Sequence, residues 1–385
     1  MENLSSSREA NSGTVVILCG ENQTKIWGAS AAERVRRMAA ATGLTMEGAV
    51  SEAQAPRLLV NSSFAFDPAW FRFMAQRPDH VLTFGGRPVL ALVASGDPQK
   101  AEAVAAAMTG GAPLAQTDGL SVLAFEDGAE LHNVELRKKE QPFLLPLEPA
   151  NVAAIERASY YGAYKGVTDI LTKYLWPELA FHITRLAARL RLSPNAVTAI
   201  GALLSIAATF AFFEGRYWLG LALGFVFMVL DTVDGKLARC TITSSKWGNI
   251  FDHGVDLIHP PFWWWAWAAG LSAYGRPIGG EAMWIALAVI FAGYVLQRVI
   301  EGVFIRLYGM HIHVWRPVDS RFRLITARRN PNVAILFFFL LAGRPDLGFF
   351  AITFWTAASL GFHLVRLLQA MAARRAGHEV ASWLN

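Results

Sequence analysis

Residues Ala196 to Phe213 read AVTAIGALLSIAATFAFF and carry no charged side chain. That is close to the ~20 apolar residues an α-helix needs to cross a bilayer. Bilayer hydrocarbon offers backbone groups no water, so such a stretch must satisfy its own hydrogen bonds as a helix. More apolar runs follow. The second begins near Tyr217 and carries Asp231 and Asp234 on its last turns. The third runs from about Ser245 through DLIHPPFWWWAWAAGLSAYG, where Pro260-Pro261 should kink the helix or leave carbonyls that need other partners. The fourth is MWIALAVIFAGYVLQRVIEGVFIRLYG. The fifth, NVAILFFFLLAG, is short by apolar count and is expected to begin near Arg328. LGFFAITFWTAASLGFHLVRLLQAMAA makes the sixth. Before them all, ELAFHITRLAARLRL sets Leu, Phe and Ile against His and Arg at helical spacing, the pattern of an amphipathic helix lying in the interface.

The composition, 54% hydrophobic and 17% charged, averages two unlike halves. The front half reads as a soluble α/β domain. TVVILCG is a short apolar run ending at Gly, as a buried parallel strand would. SAAERVRRMAAATG reads as a helix with Ser30 as N-cap, Glu33 three residues on, and Gly43 as stop. RLLVNSSFAFDPAWFRFMA reads as strand, loop and a helix started by Asp67-Pro68. HVLTFGGRPVLALVA has the Gly-Gly turn of a hairpin, and DPQKAEAVAAAMTG is another helix. LRKKEQPFLLPLEPAN is a basic, Pro-containing linker. The expected division is an α/β domain over 1–145, a linker over 146–175 and a membrane domain over 176–385. MENLSSSREANSG lacks a basic-then-apolar pattern, so no cleavable signal peptide is expected. Cys19 and Cys240 make a poor disulfide framework and read as free thiols. A net charge of +5 is modest and calls for no nucleic-acid partner.

The placement of charge orients the spans. TITSSK, the Arg-rich segment from Arg306 to Arg329, and the tail with Arg374 and Arg375 alternate with nearly neutral loops. The positive-inside rule puts the basic set in the cytoplasm. Six spans then return both termini there, for a multi-pass protein of a bacterial inner membrane with its site on the cytoplasmic side. Small residues on the spans would allow a homodimer.

Asp231 and Asp234 are three apart, and Asp252 and Asp256 are four apart. Each pair shares one face of its helix. Joined by the short turn near Thr241 to Lys246, the two faces can point at each other. A lone Asp at a membrane helix end is commonly a solvated cap or an arginine partner. Four on consecutive segments at helical spacing are better explained by cations held between them. Oxygen ligands favour Mg²⁺, Mn²⁺ or Ca²⁺, and four carboxylates suit two ions. Gly235 and Ala238 would let a bulky group approach the backbone. Gly248 could do the same, or serve helix packing. Arg239 could meet phosphate oxygens.

Asp231, Asp234, Gly235, Ala238, Arg239, Gly248, Asp252 and Asp256 spell DxxDGxxARx8GxxxDxxxD. The chain from about Tyr160 onward therefore resembles the CDP-alcohol phosphotransferases. The resemblance implies a substituted phosphate moving from a CDP-linked alcohol, often CDP-diacylglycerol, to an acceptor hydroxyl with CMP leaving, in phospholipid biosynthesis. It implies two divalent ions, Mg²⁺ or Mn²⁺, on Asp231, Asp234 and Asp252. It implies that Asp256 acts as general base and also touches a metal. Nucleotide binding then falls to Asp231, Gly235, Ala238, Arg239 and Gly248, with Asn195 and Thr198 of SPNAVT as further candidates, although both also suit the start of the first span. Membrane lipids are partners throughout.

Arg328, Arg329 and Asn330 lie nearest the fifth span and could bind a small polar or phosphorylated alcohol as acceptor, although a plain basic loop also explains the arginines. His253 should pack or hydrogen-bond off the Asp face; His259 lies one turn past Asp256. HIHVW, His311 to Trp315, has only two histidines and no further ligand nearby, which argues against a metal there. The front domain resembles the nucleotidyltransferase part of bifunctional inositol-phosphate cytidylyltransferase/dialkyl-inositol-phosphate synthases. Its loop CGENQTKIWG lacks their Gly-rich phosphate cradle, and Asn61 and Ser62 stand where an Asp is expected. A degenerate, inactive domain is the expectation. The alternatives are a bifunctional enzyme that makes its own CDP-alcohol, and a transporter relaying cations through its acids.

Overall fold

The computed structural model describes residues 13–47, 55–94, 97–114 and 119–385. They form two compact units. One is drawn from the described residues up to Asn133 with Lys139–Tyr164 and Ala238–Thr243; the other comprises Val134–Lys138, Lys165–Leu237 and Ser244–Asn385.

The first unit is built on a mixed sheet. Its strands are β1 (Val15–Cys19), β2 (Thr45–Glu47), β3 (Arg57–Asn61), β5 (His80–Phe84), β6 (Arg87–Val93) and β7 (Ser121–Ala124), with β4 (Phe64–Phe66) lying outside it. The sheet order is β2-β1-β3-β6-β5-β7. β1 pairs parallel with β2 and β3, whereas β6 runs antiparallel to β3 and β5. Three helices cover it: α1 (Ala31–Thr42), α2 (Pro68–Met74) and α3 (Pro98–Gly110). Period-2 alternation sends Val16, Leu58, Val60 and Leu82 to one face with Val35, Met38 and Trp70. Val15, Ile17, Leu59 and Val81 go to the other with Val104 and Met108 of α3. Each such side chain contributes about 1.5–3 kcal/mol by leaving water.

The helix ends are set locally. The Ser30 hydroxyl accepts from Glu33 N, Asp67 from Ala69 N, and Asp97 from Lys100 N. Gly43 ends α1 at φ 75°, in the left-handed region. Gly85 and Gly86 turn the β5–β6 hairpin at φ 56° and 73°. The segment read as a linker carries β9 (Lys138–Glu140), which pairs with β8 (Leu131–Asn133), and β10 (Leu144–Pro146), which pairs antiparallel with β4. A helix, α4 (Val152–Gly162), follows.

The second unit is helical: α5 (Pro177–Arg189), α6 (Pro194–Phe213), α7 (Tyr217–Cys240, whose last turn falls in the first unit), α8 (Lys246–Gly270), α9 (Gly280–Tyr308), α10 (Pro317–Arg323), α11 (Arg329–Leu341) and α12 (Pro345–Arg375). Four of these, α6, α7, α9 and α12, are long and apolar enough to cross a membrane. α11 is apolar but has only 13 residues. α8 has 25 residues and carries two acids and two prolines. α5 is the amphipathic helix, burying Ala180, Phe181 and Thr184.

α6 packs along α8, and α12 along α9 and α11. At the far end of the α6–α8 pair the backbones nearly touch: a Cβ on Gly270 would lie 1.9 Å from Phe212 O, so only glycine fits. α8 stays helical through Pro260 and Pro261. Pro261 has no N–H for the carbonyl of Leu257, and the Tyr294 hydroxyl of α9 donates to that oxygen at 3.0 Å instead. The Arg-rich segment is pinned by Arg366, which donates to both carboxylate oxygens of Asp319 at 2.6 and 2.9 Å.

Candidate active site

The last turns of α7 and the first turns of α8 bring the acids together. One carboxylate oxygen each from Asp231, Asp252 and Asp256 lies within 4.8 Å of the others. Ser245 starts α8 by accepting from Gly248 N at 3.0 Å, which fixes the phase at which Asp252 and Asp256 emerge. Trp176, ahead of α5, donates from its indole to the Thr232 hydroxyl at 3.1 Å and so braces α7 between Asp231 and Asp234.

Asp234 has a different environment. It is only 2% exposed. Its Oδ2 accepts from the Thr198 hydroxyl at 2.6 Å and its Oδ1 from Gly235 N at 2.6 Å. Thr198 Oγ1 also lies 3.1 Å from Pro194 O, but its one proton goes to the closer, charged acceptor. Asp256 is the opposite: its side chain is 43% exposed, so the cluster opens on that side.

A guanidinium sits among the acids. Arg329, at the start of α11, donates from Nη2 to Asp231 Oδ2 and from Nη1 to Asp256 Oδ1, both at 2.7 Å. Its Nε donates to Asn330 Oδ1 at 2.8 Å, and its charge lies 4.9 Å from the Phe227 ring centroid. Asn330 is itself fixed, donating to Asp169 Oδ1 and Thr172 Oγ1, each at 3.1 Å. Asp169 and Thr172 stand at a π-helical turn, Leu171–Leu175. Asn330 thus positions Arg329, and both its amide hydrogens' neighbours and its oxygen are engaged within the protein.

The acids fit a hard divalent ion. They offer only oxygens, from two helices, and they have drawn in a cation in the form of Arg329. One guanidinium against four carboxylates leaves negative charge for further cations. Asp231, Asp252 and Asp256 would hold such an ion, and Asp234 is within the same helical face.

The other sequence-predicted residues fall as follows. A Cβ on Gly248 would lie 2.8 Å from Asn195 Oδ1, so these two residues meet each other where α6 and α8 begin. Gly235 gives its N–H to Asp234. Ala238 and Arg239 lie on the last turn of α7, and Arg239 Nε is buried without a hydrogen-bond partner among the described residues. His253 bonds its own helix at Asn249 O, 2.8 Å away. His259 does likewise at Val255 O, 2.7 Å, with its ring against Phe227 and Trp263.

A second polar cluster lies nearby in the chain's fold but not in its sequence. Glu301 of α9, His313, and His363 of α12 each offer a ligand atom within 4.8 Å of the others. The expectation that no further ligand lies near HIHVW is corrected, because folding brings Glu301 and His363 to His313; His311 is not part of the group. Arg328 is ion-paired with Glu301, and His313 Nε2 lies 3.1 Å from the same carboxylate. His363 is 1% exposed and neither ring nitrogen has a partner among the described residues; Arg328 Nε and Arg323 Nη1 are likewise buried and unpartnered. Burial pushes His313 down to about 3 and His311 to about 4, so both rings are neutral. Burial lowers Arg323 to about 10, still charged at neutral pH.

Residues 191–362 match the family profile described as CDP-alcohol phosphatidyltransferase. All four aspartates, Asp231, Asp234, Asp252 and Asp256, lie inside that matched stretch. The chain is similar to Cholinephosphotransferase 1 of Gallus gallus, 34% identical over 134 residues, covering 31% of this chain and 38% of that protein. Cholinephosphotransferase 1 of Danio rerio is 26% identical over 226 residues, 54% of this chain and 51% of that protein. Phosphatidylinositol phosphate synthase of Streptomyces avermitilis is 31% identical over 116 residues, 30% of this chain and 40% of that protein. The chain thus spans about a third to a half of the length of these relatives. The family match starts at residue 191 and does not reach the α/β sheet. Asp169 and Thr172 lie ahead of the matched stretch, and no local pattern marks them as supports of the acid cluster.

Proposed function

We propose that the chain is an integral membrane transferase. It moves a substituted phosphate from a CDP-alcohol to an acceptor hydroxyl and releases CMP. The observation that carries this is the convergence of Asp231, Asp252 and Asp256 from two helices, in a stretch that matches the CDP-alcohol phosphatidyltransferase family. Asp231, Asp234 and Asp252 are the proposed ligands of two Mg²⁺ or Mn²⁺ ions, with Asp256 adjoining. When bound, such ions neutralise pyrophosphate charge and favour CMP as leaving group. Asp256, 43% exposed, takes the proton of the acceptor hydroxyl as the hydroxyl oxygen bonds to phosphorus and the bond to CMP breaks. Gly235, Ala238, Arg239, Gly248, Asn195 and Thr198 are the proposed surroundings of the nucleotide, Thr198 acting through Asp234.

The acceptor is a small polar or phosphorylated alcohol. Support comes from buried nitrogens of Arg323, Arg328 and His363 that have no hydrogen-bond partner among the described residues. A buried donor left unmade costs about 1–3 kcal/mol, which a polar ligand would recover. Arg328 and Arg329 are the proposed acceptor contacts, with Asn330 holding Arg329. The transferred group is either a phosphatidyl group or a headgroup phosphate, as the relatives' names point both ways. In the membrane, α8 and α11 join the four long apolar helices to make six spans, with α5 in the interface. The basic Arg306 to Arg329 segment then faces the cytoplasm with the acid cluster and both termini.

The test uses the purified full chain with CDP-diacylglycerol or CDP-choline and a panel of acceptors, reading product masses and CMP. The expected result is Mg²⁺- or Mn²⁺-dependent CMP release that is lost in Asp231→Asn and Asp256→Asn. Full turnover in both variants would sink the assignment.

A further inference from the structure

The acid cluster carries its own cation. Arg329 reaches two of the three convergent carboxylates with its two terminal nitrogens, at 2.7 Å each. Those are two of the three carboxylates that converge where a divalent ion would sit. A guanidinium and a divalent ion on the same two carboxylates would compete, because each places positive charge beside the other. We propose that Arg329 competes with a divalent ion for Asp231 and Asp256 and yields both carboxylates when the ion binds. This rests on the reading that the acids bind a divalent ion.

Two features make the displacement a local swing. The first is the anchor. Arg329 Nε stays bonded to Asn330, which Asp169 and Thr172 hold. Breaking the two terminal contacts therefore moves the fork without releasing the stem. The second is the asymmetry of the cluster. Asp234 is buried and satisfied by Thr198 and Gly235, so it needs no cation to hold it in place. Asp256 is 43% exposed and is paired with Arg329. The freed fork would swing toward that open side, where it could meet an anion. The ion would then create an anion-binding group as it arrives, so that metal precedes phosphate-bearing substrate.

A purely structural ion pair would predict otherwise. It would persist with metal bound, and its loss would weaken the site's geometry and its metal affinity alike. The two cases separate in a direct Mn²⁺ titration of the full chain in detergent, reading free Mn²⁺ by electron paramagnetic resonance with no substrate present. If Arg329 competes with the ion, Arg329→Gln binds Mn²⁺ roughly tenfold or more tightly than wild type, the scale of one charge-assisted bond. Arg329→Lys, which keeps the charge and loses the fork, falls between. Equal or weaker Mn²⁺ binding in folded Arg329→Gln overturns the proposal while leaving the metal site standing. No Mn²⁺ binding in any form overturns both. Should Arg329→Gln fail to fold, the wild type alone decides. Modification of Arg329 by a dicarbonyl reagent, read by peptide mass, is expected to rise on adding Mn²⁺ because the side chain is 11% exposed when paired with the acids. Unchanged labelling overturns the proposal.

Discussion

Thr198 can be separated from Asp234 by one conservative change. Thr198→Val keeps the shape and removes the proton that Asp234 Oδ2 receives at 2.6 Å. Asp234 cannot turn to water for a replacement, because it is 2% exposed. Its other oxygen keeps Gly235 N, so one bond is lost and not two. A hydrogen bond to a charged group contributes about 1.5–3 kcal/mol. At about 1.4 kcal/mol per tenfold, that is roughly a ten- to hundredfold effect on any equilibrium that needs Asp234 fixed. It divides between two observables. The part that holds α6 against α7 appears as a lower unfolding midpoint without metal. The part that aims Asp234 appears as a higher half-saturating Mn²⁺ concentration for CMP release. Thr198→Ser, which restores the hydroxyl, should recover both. A Thr198→Val protein with wild-type unfolding and wild-type Mn²⁺ dependence would show that the contact does not position the acid, and that Thr198 belongs only to the start of α6.

Tyr294→Phe should lower stability by about 1 kcal/mol, measured by denaturant unfolding in detergent, because the Leu257 carbonyl loses its donor. Wild-type stability in that variant would mean the oxygen finds another partner. Stability should also fall with acid. His311 and His313 titrate near 4 and 3 in the folded chain, below their ordinary 6.5, so the unfolded chain binds more protons in that range. Their contribution is full above pH about 6.5 and is lost as pH drops toward those values. A melting temperature that is flat from pH 7 to about 4.5, or that falls equally steeply in His313→Gln, would contradict it.

Local chemistry was the legible part of this chain. Ser30, Asp67 and Gly43 announce helix ends because a cap's effect reaches only a few residues. The Gly85-Gly86 turn announces its hairpin for the same reason. The acids were legible because three- and four-residue spacing is helical geometry written in sequence. The span count was less so. α11 has 13 residues, and α8 mixes prolines and acids with tryptophans, so neither meets a simple apolar test. β10 was hidden because Leu144–Pro146 is three residues long and contains Pro, and only pairing with β4 makes it a strand. Long-range partners were not legible at all. Arg329 finds Asp231 across 98 residues, and Asn330 finds Asp169 across 161. No periodicity carries such information; packing of α11 beside α7 and the turn at 171–175 creates it.

That last pairing alters where the functional unit begins. The family match starts at residue 191, after α5. Yet two supports of the acid cluster stand before it. Trp176 braces Thr232, between the first two acids. Asp169 and Thr172 hold Asn330, which holds Arg329 on Asp231 and Asp256. Each link is a buried or half-buried polar contact, and removing one partner of such a contact leaves the other unsatisfied. The placement of the acids therefore depends on residues outside the stretch that resemblance marks. The amphipathic α5 lies between these supports and the matched stretch. The pose of the acids is set through one continuous run of bonds from Asp169 through Asn330 and Arg329 to Asp256.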